Sequence, residues 1–183
     1  MRLFTAKGDG GQTDLLGDRV GKDHPIIALI GELDEVTSQL GFSRAVATSS
    51  RTSETLIEIQ RDLYKILAEL AFTAEIRPAS FTFSGERVTH LETLTDALSA
   101  EVELPPQFIL PGDTVPGAAL DVARTVVRRA ERTAVQLAND GLIPNPEILR
   151  YLNRLSSLVF MLARFEDREA GVVPLKAKIQ PAR

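Results

Sequence analysis

The stretch AALDVARTVVRRAER, Ala118 to Arg132, decides the fold. Leu120, Ala123, Val127, Ala130, Ala134 and Leu137 recur at alternating steps of three and four, which predicts a helix packed along a bundle. Arg124, Arg128 and Arg132 step by four, so each stands only about 40° around the helix from the last, and the three form one ridge. Arg129 adds a fourth positive charge, with Asp121 and Glu131 as the only acids among them. Guanidinium groups this close repel one another unless carboxylates or a polyanion face them. A solvated face, ion pairs with a neighbouring helix and a polyanionic ligand all satisfy that requirement.

Outward from this helix, the chain reads as four more. Ile26, Ile30, Leu33 and Leu40 mark a helix opened by Pro25, and the acids Glu32, Asp34 and Glu35 lie within it. Asp34 is a candidate partner for an arginine across the bundle or across a subunit boundary. A polar loop is expected over 44–54, then a helix over 54–75 with Leu56, Ile59, Leu63, Ile66 and Leu70 on one stripe. FTFSGE (81–86) suggests a brief extended piece, followed by a helix over 86–101 carrying Val88, Leu91, Leu94 and Leu98. FILPGDTVPG (108–117) is a Pro/Gly-rich loop holding the apolar Phe108 and Ile109, either turned into the core or kept at a surface. The arginine helix spans 116–139, and a fifth helix spans 146–170 with Ile148, Leu152, Leu155, Val159 and Leu162 as its seam. The pattern predicts an all-α five-helix bundle. A single domain is expected, with an N-terminal arm over 1–25, the bundle over 26–172, and a basic, loosely ordered tail over 173–183.

The arm differs in composition from the rest. Gly8, Gly10, Gly11, Gly17 and Gly21 stand among Lys7, Arg19, Lys22 and several Asp and Thr residues, with no helix or strand period, so an irregular loop is expected. Glycines let backbone N–H groups close on an anion, and the cations and hydroxyls suit phosphate. No Gly-Lys-Ser/Thr follows at Walker A spacing. A flexible arm is the plainer alternative.

Composition excludes several chemistries. With no cysteine, the chain has no disulfide, thiolate metal site or cysteine nucleophile. A di-metal carboxylate bundle needs Glu-x-x-His on two helices, but His24 and His90 are preceded at minus three by Gly21 and Arg87. The net charge of −4 gives no general reason to expect nucleic acid, so the ridge is a local feature. MRLFTAKGDGG has no signal-peptide core and no segment has the length of a membrane span; a cytoplasmic protein with no membrane partner is expected.

Three stretches together resemble the PduO-type ATP:cob(I)alamin adenosyltransferases. Thr5-Ala6-Lys7-Gly8-Asp9-Gly10-Gly11-Gln12-Thr13 with Arg19-Val20-Gly21-Lys22-Asp23 resembles the family's nucleotide loop. Phe108-Ile109-Leu110-Pro111-Gly112 and then Ala123 to Arg132 resemble its central motif, and Leu149 to Ser156 (LRYLNRLS) its last-helix motif. The match runs in order over nearly the whole chain. It implies a trimer with an active site at each subunit interface, where ATP lies under the arm with the corrinoid beside it. Thr5, Lys7, Gly8, Asp9, Gly11, Thr13, Arg19 and Lys22 match the loop around ATP. Arg124, Arg128, Glu131 and Asn153 match nucleotide-site residues, with Glu131 also a candidate to help hold Mg²⁺. Asp34 matches an acid that pairs with Arg124 across the boundary, and Phe108 the aromatic at the lower face of the corrin. The implied reaction is attack of cob(I)alamin, formed from cob(II)alamin by a reductase, on C5′ of ATP. Triphosphate leaves, and an adenosylcobalamin-dependent mutase is an expected consumer. Thr37 stands where the family often has Asn, Asp113 where a second Gly follows Pro-Gly, and Ser157 where Asp is frequent; these departures bear on rate and corrinoid preference. Alternatives from other classes are an ATP- and corrinoid-binding regulatory or delivery bundle, and a structural bundle whose arginines serve only an interface.

Overall fold

A computed structural model describes residues 6–73 and 76–178. Five helices make up the bundle: α1 (Pro25–Val46), α2 (Ser50–Ala71), α3 (Glu86–Glu101), α4 (Val115–Asn139) and α5 (Pro146–Glu169). Three of them start on the same chemistry, a proline in the first turn preceded by a side-chain cap. His24 Nδ1 accepts from the Ile26 N–H, the Thr114 hydroxyl from Gly117, and the Asn145 amide oxygen from Glu147. The apolar periods then decide which face turns inward. Leu29, Leu33, Val36 and Leu40 of α1 meet Leu120, Ala123, Val127, Ala130 and Ala134 of α4, and α4 in turn packs on Leu152, Leu155, Val159 and Leu162 of α5. The outer helices close the core, α2 against α1 and α3 against α5.

Tertiary contacts correct four of the expected boundaries. The 44–54 loop shrinks to 47–49, because the buried Glu166 carboxylate accepts from the Thr48 N–H and hydroxyl and from the Ser49 N–H. Polar residues just after it are drawn into α2: Thr52 is buried, and Arg51 pairs with Glu101 and lies over the Phe165 ring. At its other end α2 stops at Ala71, not 75, since Ala71 O and Thr73 N bond to the backbone of Leu16 in the arm. The 81–86 segment forms no strand: Phe81 closes a turn, and Thr82 beyond it has extended backbone angles. A 3-10 turn, Ala79–Phe81, leads into buried Phe83, whose N–H donates to the buried Glu69 carboxylate at 2.5 Å.

Nor is the arm irregular throughout. Strands β1 (Gln12–Leu15) and β2 (Asp18–Gly21) pair antiparallel around the two-residue turn Leu16-Gly17. Gly17 has φ +107°, and a Cβ there would lie 2.6 Å from Thr73 Oγ1, so turn geometry and docking onto α2 both require glycine. The tail also departs from expectation, because its described part is tied down. Leu110 N donates to Leu175 O at 2.7 Å, Ala177 N to Phe108 O at 2.8 Å, and Leu175 N to Asp113 Oδ2 at 3.1 Å. The tail thus runs antiparallel to the Phe108 loop, and Asp113 clasps it.

One buried polar group locks α2, α3 and α5 together. Asp62 accepts both from Arg87 Nε and from the Tyr151 hydroxyl, at 2.8–2.9 Å and 3.0 Å. Burial first, and then the Asp62 charge, push the Tyr151 phenol well above its ordinary value. Asp62→Ala leaves the buried Tyr151 phenol without its acceptor and Arg87 with only Glu58 at 3.5 Å, and urea denaturation should read a loss of about 3 kcal/mol. Asp113→Ala should change global stability by less than about 1 kcal/mol. Hydrogen exchange at the Leu175 amide should nevertheless become severalfold faster.

Candidate functional site

Because Ala123, Val127, Ala130 and Ala134 take the buried side of α4, its arginines are left at the groove and the surface. Their partners differ. Arg124 is half-buried and donates from Nε to Asp121 Oδ1 at 3.1 Å. Arg129 pairs with Glu35 of α1, whose carboxylate raises the guanidinium pKa further. Arg132 donates to the Arg128 carbonyl at 2.9 Å. Arg128 itself is exposed, and among the described residues its guanidinium meets no carboxylate. A neighbouring helix therefore answers Arg129 beside the ridge, and a buried acid answers Arg124 on it. Arg128 is left to solvent or to a ligand.

Three adjoining clefts, each of about 300 Å³, run along the α4/α5 groove. The first is lined by Phe108, Pro111, Asp121, Arg124 and Phe160. The second continues past Arg124 and Phe160 to Arg128, Ser156 and Ser157. The third carries on from Arg128 to Glu131 and Asn153. Shared residues make the three a single track with an aromatic at one end and cations in the middle. Phe108 is 87% exposed, so the apolar residue of the Pro/Gly loop stays at the surface. Such exposure of a large aromatic beside a cleft suits a flat apolar ligand.

At the far end, Asn153 Nδ2 donates to Glu131 Oε1 at 2.8 Å. Arg154 Nη1 donates to Asn153 Oδ1 at 2.6 Å, which fixes the amide's orientation, and Arg154 Nε is held by Glu92 of α3. Sequence alone gave no hint of Glu92 or Phe160 in this role, because both sit on helix positions that read as ordinary surface and seam. The motif-matching residues Phe108, Arg124, Arg128, Glu131 and Asn153 are brought together on one groove.

The remaining candidates lie elsewhere on the chain. Arg19 organises the arm: its guanidinium donates to Gln12 Oε1, Asp14 Oδ1 and the Lys7 carbonyl. Lys22 lies against Gly8, where an added Cβ would come within 3.2 Å of Nζ, and the Lys22 N–H donates to Gly11 O at 2.8 Å. Asp9 N and Gly11 N bond back to Ala6 O and Gly8 O, so the loop folds on itself beside the half-buried Thr13. Thr5 lies outside the described residues. Among the described residues, none of the arm lines the three clefts. Asp34 is exposed and, among the described residues, meets no cation, whereas Glu32 accepts from Thr133 and Glu35 from Arg129. Of the departures, Thr37 donates to Leu33 O and its carbonyl accepts from Gln60; Asp113 holds the tail; Ser157 is exposed in the second cleft.

Comparison with known proteins bears directly on this groove. The family model for cobalamin adenosyltransferase matches residues 3–166. The corrinoid adenosyltransferase PduO of Salmonella typhimurium is 40% identical over 93% of this chain, which spans about half (51%) of that protein's length. The corrinoid adenosyltransferase of Bacillus subtilis is 37% identical, with 94% of this chain and 90% of the relative covered. Among solved structures, a phenylalanine-to-alanine variant of a PduO-type ATP:corrinoid adenosyltransferase from Lactobacillus reuteri, complexed with cobalamin and ATP, superposes with a TM-score of 0.90. It is 34% identical, covering 97% of this chain and 100% of its own. An arginine-to-lysine variant of the PduO-type enzyme from the same organism, complexed with ATP, gives a TM-score of 0.88 at 34% identity, covering 96% of this chain and 100% of its own. Sequence and fold agree along nearly the whole chain, and it belongs to the cobalamin adenosyltransferase family.

Proposed function

We propose that this chain transfers the 5′-deoxyadenosyl group of ATP to the cobalt of cob(I)alamin, giving adenosylcobalamin and triphosphate. The observation that carries the reading is Arg128, a cation that meets no carboxylate among the described residues, set midway along a groove that begins at the exposed Phe108. Cobalt(I) supplies the electron pair that forms the Co–C5′ bond; the C5′–O bond breaks, and its electrons leave with triphosphate. Negative charge grows on that leaving group, so Arg128 and the terminal nitrogens of Arg124, fixed in advance at the groove, lower the barrier. Holding C5′ in line with the metal contributes the rest. Phe108 presents an apolar face to the lower side of the corrin and excludes an axial ligand there, which makes cobalt easier to reduce.

Lys7, Gly8, Asp9, Gly11, Thr13 and Lys22 wrap the nucleotide in this reading, while Arg19 acts as the brace that shapes the loop. Among the described residues the arm and the groove share none of the three clefts within one chain, which supports a site completed at a subunit boundary of a homotrimer. Exposed Asp34 and Phe42 on α1 suit such a boundary, with Asp34 reaching Arg124 of the partner subunit. Among the described residues no three His, Asp or Glu side chains cluster as a metal site. Mg²⁺ would therefore arrive on the triphosphate, with Glu131 offering one oxygen, and would supply further neutralisation of the leaving group. No helix among the described residues is long and apolar enough to cross a membrane, which fits a cytoplasmic enzyme fed by a reductase and serving a mutase.

Purified protein mixed anaerobically with chemically reduced cob(I)alamin and Mg-ATP should give the alkylated product at catalytic enzyme levels, followed by its visible spectrum. A clear ATP-induced thermal shift without product would favour a regulatory or delivery role instead. Arg128→Ala should lower kcat by about a hundredfold or more, the scale of losing one preorganised donor to a developing anion. Native turnover would remove Arg128 from the mechanism. Phe108→Ala should slow the corrinoid step while leaving the ATP thermal shift unchanged; a defect in ATP binding alone would refute its placement.

A further inference from the structure

Beneath the groove lies an ionic group that none of the matched motifs accounts for. Arg164 of α5 is 2% exposed, and its Nη2 lies 2.7 Å from Asp121 Oδ2 and 3.0 Å from Asp167 Oδ2, both carboxylates being buried as well. Asp167 accepts the Thr114 hydroxyl at 2.6 Å and sits against Gly117, where a Cβ would collide with it. Buried ion groups of this kind are poor stabilisers, because desolvation offsets most of the attraction. This one is also incompletely satisfied: Arg164 Nε and Asp167 Oδ2 are buried without a well-aligned hydrogen bond. Stability alone does not explain its presence. Burial pushes the Asp167 carboxyl up, with Thr114 and Arg164 pulling it back. The aligned hydrogen bond from Arg164 Nη2 goes to Asp121 Oδ2, at 2.7 Å.

Asp121 has a second oxygen, and that oxygen holds the Nε of Arg124. Arg124 would otherwise swing on a flexible stem at the mouth of two clefts. With Nε fixed, the planar guanidinium has a defined orientation, and among the described residues Nη1 and Nη2 have no protein partner. We propose that Asp121, anchored from below by buried Arg164, is a positioning residue that aims the two terminal nitrogens of Arg124 at the anions assembling in the groove. Those anions are the triphosphate and the carboxylate of Asp34 of the partner subunit. The inference rests on the reading above that Arg124 serves the nucleotide site.

The triple variant Asp121→Leu/Arg164→Met/Asp167→Asn replaces the ionic group by side chains of similar size and keeps an acceptor for Thr114. Its urea midpoint should equal or exceed the native value, while KM for ATP rises at least tenfold and KM for the corrinoid stays within twofold. In an Arg124→Ala background the same three changes should add nothing. Native kinetics in the triple variant would overturn the inference, as would a further tenfold loss in the Arg124→Ala background. A triple variant that fails to fold would overturn it too, because stability would then account for the group. Arg124→Ala with native ATP kinetics would instead defeat the underlying assignment of Arg124, and the inference with it.

Discussion

Everything at the groove depends on how closely α4 and α5 approach. Ala123, Ala130 and Ala134 are fully buried and small, so α4 lies close against the leucines of α5 and the bulky apolar groups of α1. That approach fixes the rotation of α4 about its own axis. Once the alanines face inward, the ridge at 124, 128 and 132 must emerge along the edge where α4 meets α5, since a helix turns by about 100° per residue. A larger side chain at Ala130 would push the helices apart and misalign every charge along the groove at once.

The charges on this helix are sorted by what lies opposite each. Arg129 faces α1 and is neutralised there by Glu35. Arg124 stands over a buried acid and is held at one nitrogen. Arg128 faces open volume and, among the described residues, meets no carboxylate. Three arginines with one chemistry therefore have separate tasks, and the difference comes from what each one faces. The same holds for the acids of α1, where Glu32 and Glu35 serve α4 and Asp34 remains outward.

Buried carboxylates carry out a second kind of work, holding loops where no regular structure can. Glu166 ties down the α1–α2 connection, Glu69 takes the Phe83 N–H together with Arg77 and the Asn145 amide, and Asp62 fastens Arg87 and Tyr151. Each of these acids is buried and each is supplied with donors, which is the condition under which a charge is tolerated in a core. Asp113 extends the pattern to the surface by clasping the tail against the Phe108 loop. The loop that carries the exposed aromatic is thereby backed by a strand-like partner.

The five helices were legible in the sequence because amphipathic period and proline caps are local signals, and α3, α4 and α5 fall within one residue of the expected ends. The ridge was legible for the same reason, and the family resemblance marked Phe108, Glu131 and Asn153 besides. Pairing was not legible. The hairpin over 12–21 has too few alternating apolar residues to show a strand period, and it exists because Leu16 docks on Ala71 and Thr73. The tail looked loose because its bonds go to residues more than sixty positions away. Arg164 reads as one polar residue in an apolar helix, and only the fold brings Asp121 and Asp167 to it. Sequence by itself determined the helices, their inward faces and the line of arginines, since these follow from spacing along one element. Tertiary structure alone decided which arginine is braced, which is neutralised and which is left open, since that depends on charges brought together from distant parts of the chain.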